Sequence, residues 1–164
     1  MVQVFVSHSS KDKDLVGVFH VAFGNLGVDA YFSEFETEAK PIPDKIRGAI
    51  RSSKLAVVLW TSSVSDVPAT RDIVNSEIGE AHMADKPVLV FREEGVDVPL
   101  LVRYITDYYT FKRPDLAGAL ERLRAFIQKY RDEEEFWTTA GEVVLIAAAI
   151  AAVLGLVYVI SRKK

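Results

Sequence analysis

The run LAVVLW at residues 55–60 sets the strongest limit on how this chain folds, because it is apolar at every position, β-branched in its middle and aromatic at its end. Successive side chains of a strand point to opposite faces, so a strand of this kind is stable only when both faces are covered. That requires a central strand with layers above and below it. Four further short runs have the same character: VQVFVS at 2–7, VDAYF at 28–32, PVLVF at 87–91 and DYYTF at 107–111. All five are short enough for strands and rich in β-branched or aromatic residues.

The segments between them change period. Leu15, Val18, Phe19, Ala22, Phe23 and Leu26 recur at helical spacing, and Gly27 follows where a helix end calls for positive φ. Pro43, Ile46, Ala49 and Ile50 mark a second helix. Ile73, Val74, Ile78 and Ala81 mark a third, and Leu116, Leu120, Leu123 and Ile127 the last. The fourth connection, REEGVDVPLLVRYIT, carries at most a short helix. Strands alternating with helices give an α/β fold with right-handed crossovers. The expectation is a flavodoxin-like five-stranded parallel sheet, order 2-1-3-4-5, with helices on both faces. About 130 residues can bury roughly two-thirds of their unfolded surface, so such a domain needs no covalent staple.

The chain has no cysteine, which removes disulfides, thiolate zinc sites and thiol nucleophiles. Its net charge is −3, and Arg162, Lys163 and Lys164 supply +3 at the end, leaving residues 1–161 at −6. A body of that sign is not built to bind nucleic acid.

Residues 143–160 read VVLIAAAIAAVLGLVYVI without one charge. As a helix they extend roughly 27 Å, close to the ~30 Å hydrocarbon thickness of a bilayer. Trp137 before the run and Tyr158 near its end suit the headgroup level, and the run is apolar all round, unlike a core helix with a polar face. The expected organisation is a domain at 1–130, a juxtamembrane segment at 131–142, a transmembrane helix at 143–160 and a basic tail at 161–164. The N-terminus lacks a secretory pattern, since charged Lys11 to Asp14 follow VQVFV closely. Four cations before the span (Arg122, Arg124, Lys129, Arg131) nearly balance three after it. The short tail and the missing signal favour a single-pass membrane protein with its N-terminal domain cytoplasmic, in contact with the lipid bilayer through 143–160.

In an open parallel sheet, ligands bind beyond the carboxyl ends of the strands where the order reverses. Those ends here are SHSSKDKD, SEFETEAKPIP and TSSVSD. The first runs into a helix N-terminus, which favours an anion, although Ser9, Ser10 and Asp12 equally suit plain capping. The second, at 33–43, is long for such a connection and carries Phe35 among carboxylates. Neither a P-loop nor a Gly-rich dinucleotide motif occurs, so kinase-like and dehydrogenase chemistry fall away. His8, His20 and His82 lack ligand spacing, and no structural metal is expected. Ser7 and His8 are consecutive on a strand and point opposite ways, so they make no nucleophilic pair. Glu77 stands beside the apolar stripe of the third helix, either flanking the crevice or as a solvated surface carboxylate.

FVSHSSKDKDLV, the long loop after VDAYF, and DIVNSEIGEAHMADKPVLVF together resemble a TIR (Toll/interleukin-1 receptor) domain of microbial type over roughly residues 1–130. The resemblance places Glu77 on the family's catalytic glutamate. It implies cleavage of NAD at the nicotinamide–ribose bond, giving ADP-ribose or a cyclised form, with NAD as substrate and no further cofactor. Nicotinamide leaves as a neutral base, so one carboxylate suffices where ordinary glycosides need two. Glu77 would then stabilise the oxocarbenium-like ribosyl centre. The same resemblance puts Ser7, His8, Ser9, Phe32, Ser33 and Phe35 along the cleft, and Ser62 and Ser63 near phosphates or ribose.

Four residues before Glu77 the microbial pattern often has Trp, and this chain has Ile73, which cannot stack on a ring as Trp does. Phe35, Trp60 or a neighbouring copy are the candidates for that missing face. The loop after the second strand resembles the one through which TIR domains pack, so a homo-oligomer or other TIR domains are the implied protein partners. Ala147, Ala151 and Gly155, four apart in the apolar span, would also allow close helix packing. Three readings follow: a membrane-tethered NAD nucleosidase active when self-associated, in defence or signalling; a non-catalytic scaffold acting by homotypic assembly; and a nucleoside 2-deoxyribosyltransferase-like enzyme, which shares the sheet and a catalytic glutamate.

Overall fold

The structure is a computed structural model and describes residues 3–33, 44–97 and 101–132. Residues 133–142 of the expected juxtamembrane segment at 131–142, the expected spans at 143–160 and 161–164, and Phe35 lie outside the described residues. Among the described residues no helix is long and apolar enough to cross a membrane. The chain divides into two units, Met1–Arg124 and Ala125–Lys164.

The first unit contains β1 (Gln3–Ser7), α1 (Lys13–Asn25), β2 (Asp29–Phe32), α2 (Asp44–Ser52), β3 (Leu55–Trp60), a one-turn α3 (Ser62–Ser65), α4 (Pro68–Met83), β4 (Val88–Glu93) and β5 (Asp107–Phe111). A 3-10 turn, Val102–Tyr104, interrupts the connection from β4 to β5. Among the described residues, 117–132 are helical and are labelled α5. Within the second unit, Phe126 and Tyr130 bring their rings to 4.9 Å, a contact one turn apart on the helix.

The strands are all parallel in the order β2-β1-β3-β4-β5, the order expected from the sequence. β4 runs two residues past its apolar stretch, because Arg92 and Glu93 continue the register against Thr110 and Phe111. Two charged side chains thereby reach the carboxyl edge of the sheet. α3 was not anticipated, since one turn is too short to show a period.

Every residue of β3 is buried, as its two-sided apolar pattern demands. On one face of the sheet, Phe5, Ala56, Val58, Trp60, Val88 and Val90 pack under Ile46 and Ile50 of α2, Val64 of α3 and Val74, Ile78 and Ala81 of α4. On the other, Phe19 of α1 stands edge-on to Phe91 at 5.0 Å, and Phe23 edge-on to Phe32 at 6.0 Å. Full burial of each such side chain contributes about 1.5–3 kcal/mol.

The helix ends follow their local chemistry. Gly27, at φ 65°, closes α1 while the Val28 N–H donates to the Phe23 carbonyl and the Gly27 N–H to that of Gly24. That is a Schellman ending, which glycine favours. α4 starts with Pro68 in its first turn, where no N–H is missed. It ends on the same paired bonds, Lys86 to Ala81 and Asp85 to His82, with Asp85 in the left-handed position at φ 54°.

Candidate active site

Alternation along β1 sends Phe5 and Ser7 to the face covered by α2 and α4. Ser7 is the last residue of the strand and lies opposite Val58 in register with β3, at the point where the strand order reverses. α4 returns over this face after β3 and carries Glu77 between the core residues Val74, Ile78 and Ala81. The two meet: Ser7 Oγ donates to Glu77 Oε2 at 2.5 Å. Ser7 is fully buried and Glu77 is 2% exposed.

The sequence left open whether Glu77 is a surface carboxylate, and the structure places it inside. α4 is buried over a wider arc than its apolar stripe, because α2 packs along its flank. Arg51 of α2 reaches Glu80 Oε1 from Nε at 3.0 Å and Nη2 at 2.9 Å, and Arg47 Nε lies 3.6 Å from Oε2. Glu80 is therefore a buried but compensated carboxylate. Among the described residues no cation pairs with Glu77. Burial pushes its carboxyl up from 4.5 to about 8, with the Ser7 hydroxyl pulling the other way. A lone carboxyl balanced near neutrality at a sheet's switch point is a candidate functional group.

The other expected site residues are placed less suggestively. His8 and Phe32 lie on the α1 side, with rings 5.8 Å apart, and His20 adds a second ring contact to Phe32 at 5.5 Å. Ser9 is buried, accepts the Lys11 N–H on its hydroxyl at 3.3 Å and the Asp12 N–H on its carbonyl at 3.1 Å, and so shapes the turn after β1. Ser33 is buried and bonds the Val6 carbonyl through both its N–H and its hydroxyl. Ser62 is exposed, with its N–H donating to Glu93 Oε2 at 3.2 Å. Ile73 is half-buried one turn before Glu77. Trp60 is buried in the core with Nε1 donating to the Asp97 carbonyl at 2.6 Å, so its ring is not open to a ligand. Of the expected set, Ser7 is the residue hydrogen-bonded to the Glu77 carboxyl, while His8 meets Phe32 through their rings. Among the described residues no cluster of three His, Asp or Glu could hold a metal ion.

Sequence reasoning missed a second buried carboxylate at the same edge. Asp12 looks like a helix cap, yet its side chain makes no cap bond. Its Oδ2 accepts Thr61 Oγ1 at 2.6 Å and its Oδ1 accepts Arg113 Nη2 at 2.6 Å. Arg113 also donates from Nε to Glu93 Oε1 at 2.6 Å and from Nη1 to Asp14 Oδ2 at 3.1 Å. One guanidinium thus ties together the segments after β1 and β5 and the end of β4. The available signal was a cation just after the last strand and acids just after the first and at the end of the fourth, which a parallel sheet brings to one edge.

The fold and this site define a doubly wound α/β domain in which, among the described residues, Glu77 is a buried carboxyl at the switch point with no cation beside it. A family model described as the TIR domain matches residues 4–124, and the chain belongs to that family. Among solved structures, the TIR domain of the Toll-related receptor TRR-2 from Hydra magnipapillata aligns with a TM-score of 0.55 at 12% identity, covering 78% of this chain and 97% of that one. The Clostridium botulinum CMP N-glycosidase BcmB aligns with a TM-score of 0.52 at 18% identity, covering 74% of this chain and 97% of that one. At such identities both likenesses are of fold. No curated protein matches the chain in sequence.

Proposed function

We propose that this protein cleaves NAD at the nicotinamide–ribose bond when its domains are clustered, with Glu77 as the catalytic residue. The buried Ser7–Glu77 pair carries the reading, since a surface glutamate would need neither burial nor a positioned hydroxyl. Membership in the TIR family, which includes NAD-cleaving enzymes, supports it. So does the occurrence of an N-glycosidase on a similar fold.

In this mechanism the C1′–N bond breaks and its electron pair stays on the departing nicotinamide, which needs no proton. Ionised Glu77 stabilises the positive charge that grows at C1′, and water then adds there with loss of a proton. Entry of a cationic pyridinium beside Glu77 favours the ionised carboxylate. Residues 143–160 would tether the domain to a membrane with residues 1–130 on the cytosolic side, and packing of copies would raise the local concentration of assembled sites. A scaffold acting by homotypic assembly is the second reading, favoured by Ile73 where microbial members often have Trp and by the closure of Glu77 from solvent.

The experiment is to incubate densely reconstituted full-length protein separately with NAD, CMP and a deoxynucleoside plus free base, and to chromatograph the released bases. Nicotinamide from NAD alone is expected. Base exchange with NAD untouched would replace this reading by a deoxyribosyltransferase, and no release from any substrate would leave the scaffold.

A further inference from the structure

We infer that Ser7 is a positioning residue, which fixes the carboxyl plane of Glu77 by occupying Oε2 and reserves Oε1 for the reacting centre. The inference rests on the reading of Glu77 as catalytic, and gives Ser7 a different task from that of a cleft-lining substrate contact.

Three observations carry it. Ser7 is fully buried, so its hydroxyl serves the protein interior, and the partner it has there is Glu77 at 2.5 Å. The donor is rigid: Ser7 ends a strand whose register with Val58 is set by the β1–β3 ladder, and its neighbour Val6 pairs with both Phe32 and Val57. The acceptor is rigid as well, because Val74, Ile78 and Ala81 seat α4 in the core on both sides of Glu77. A carboxyl held through one oxygen by a positioned hydroxyl has its terminal torsion narrowed, which is otherwise broad. Pre-organisation of this kind is what a group needs to act on developing charge without first reorganising.

Two local influences act on the proton equilibrium of Glu77: burial, the larger, raises its midpoint, and the Ser7 hydroxyl lowers it. β1 and β3 carry no charged side chain. On α4 itself, Glu80 is bound by Arg47 and Arg51 of α2, Arg71 lies beside Asp72, and the remaining titratable side chain, His82, stacks on Tyr104 at 4.3 Å. On β4, Arg92 donates to Thr110 of β5, and Glu93 belongs to the Arg113 network. On α2, Asp44 pairs with Arg47 and Lys45 is exposed. A hydrogen bond to the ionised form holds a carboxyl's midpoint down, so loss of the hydroxyl should raise it.

The test is a carboxyl-carbon NMR titration of Glu77 in the full-length protein, with Ser7→Ala and Ser7→Cys beside it, together with the pH profile of nicotinamide release. Ser7→Ala should move the Glu77 midpoint up by about one pH unit and shift the activity profile equally. Ser7→Cys keeps the volume and a weaker donor, so a smaller upward shift is expected, readable even where the alanine variant folds poorly. Lower kcat with little change in KM should accompany both shifts. An unmoved midpoint in a folded variant would overturn the inference, as would a rise in KM alone. The titration does not depend on turnover: NAD left intact while the midpoint moves would refute NAD cleavage and uphold the Ser7–Glu77 coupling.

Discussion

Glu77 and Glu80 stand one turn apart on α4, both buried, and among the described residues only Glu80 is compensated by cations. Arg51 and Arg47 neutralise the one, whereas the other has a single serine hydroxyl. Burial of an uncompensated carboxyl costs stability, and proteins keep such groups where function needs them. The two positions should therefore respond oppositely to neutralisation. At pH 8–9, Glu77→Gln is expected to raise Tm, while Glu80→Gln should destabilise by about 1–2 kcal/mol, because it weakens the tie between α2 and α4. Thermal denaturation of the two variants in one buffer checks this.

The raised midpoint of Glu77 fixes a sign for stability against pH. Its folded value, about 8, lies above its ordinary value of 4.5, so the folded state holds the proton more tightly between those limits. The stability this provides is fully present below about pH 4.5 and is lost as pH rises through about 8. Compared with Glu77→Gln, the wild-type protein should lose at most about 1.4 kcal/mol per pH unit across this window, and little further above pH 9. Catalysis should run the other way, since the ionised form does the work: kcat/KM is expected to rise with pH and level off above about 8.

Arg113 offers a test of the second network. It is one-third exposed and bonds Asp12, Glu93 and Asp14, while Asp12 is almost wholly buried. Arg113→Ala would leave Asp12 with Thr61 alone, at an expected cost of about 2–3 kcal/mol, towards the low end for buried pairs because the guanidinium is partly solvated. Arg113→Lys should recover only part of that, as an ammonium cannot span three carboxylates with a fixed fork. Urea denaturation at neutral pH measures both.

Asp85 closes α4 at φ 54°, a conformation that costs a side chain free energy, and puts a negative charge at the negative end of the helix dipole. Asp85→Gly should stabilise by about 0.5–1 kcal/mol. The mirror case, Gly27→Ala at φ 65°, should destabilise by a similar amount, and the pair can be compared by Tm.

The sheet was legible because its strands carry their own evidence. LAVVLW declares two covered faces, and helical spacing between the runs leaves few topologies for five parallel strands. Gly27 marked the end of α1 because only its backbone geometry was at stake. The environment of this part of α4 was less legible: Glu77 meets Ser7 seventy residues away, and Glu80 meets Arg47 and Arg51 some thirty residues away, contacts that no local period reveals. Asp12 suits a cap by its position, and local spacing says nothing of Arg113, which meets it only once the parallel sheet brings the two segments to one edge. Ser7 was assigned to a cleft by resemblance, and its bond to Glu77 appears only once β1 and α4 share a face.

The most direct measurement is nicotinamide release from NAD by the full-length protein reconstituted at high surface density, with Glu77→Gln assayed alongside. The wild-type protein is expected to release nicotinamide, and the variant to fall by about 100-fold or more in kcat with KM little changed. Release at equal rates from both, or from neither at any density, would contradict the assignment of Glu77 as the catalytic residue of an NAD-cleaving TIR domain.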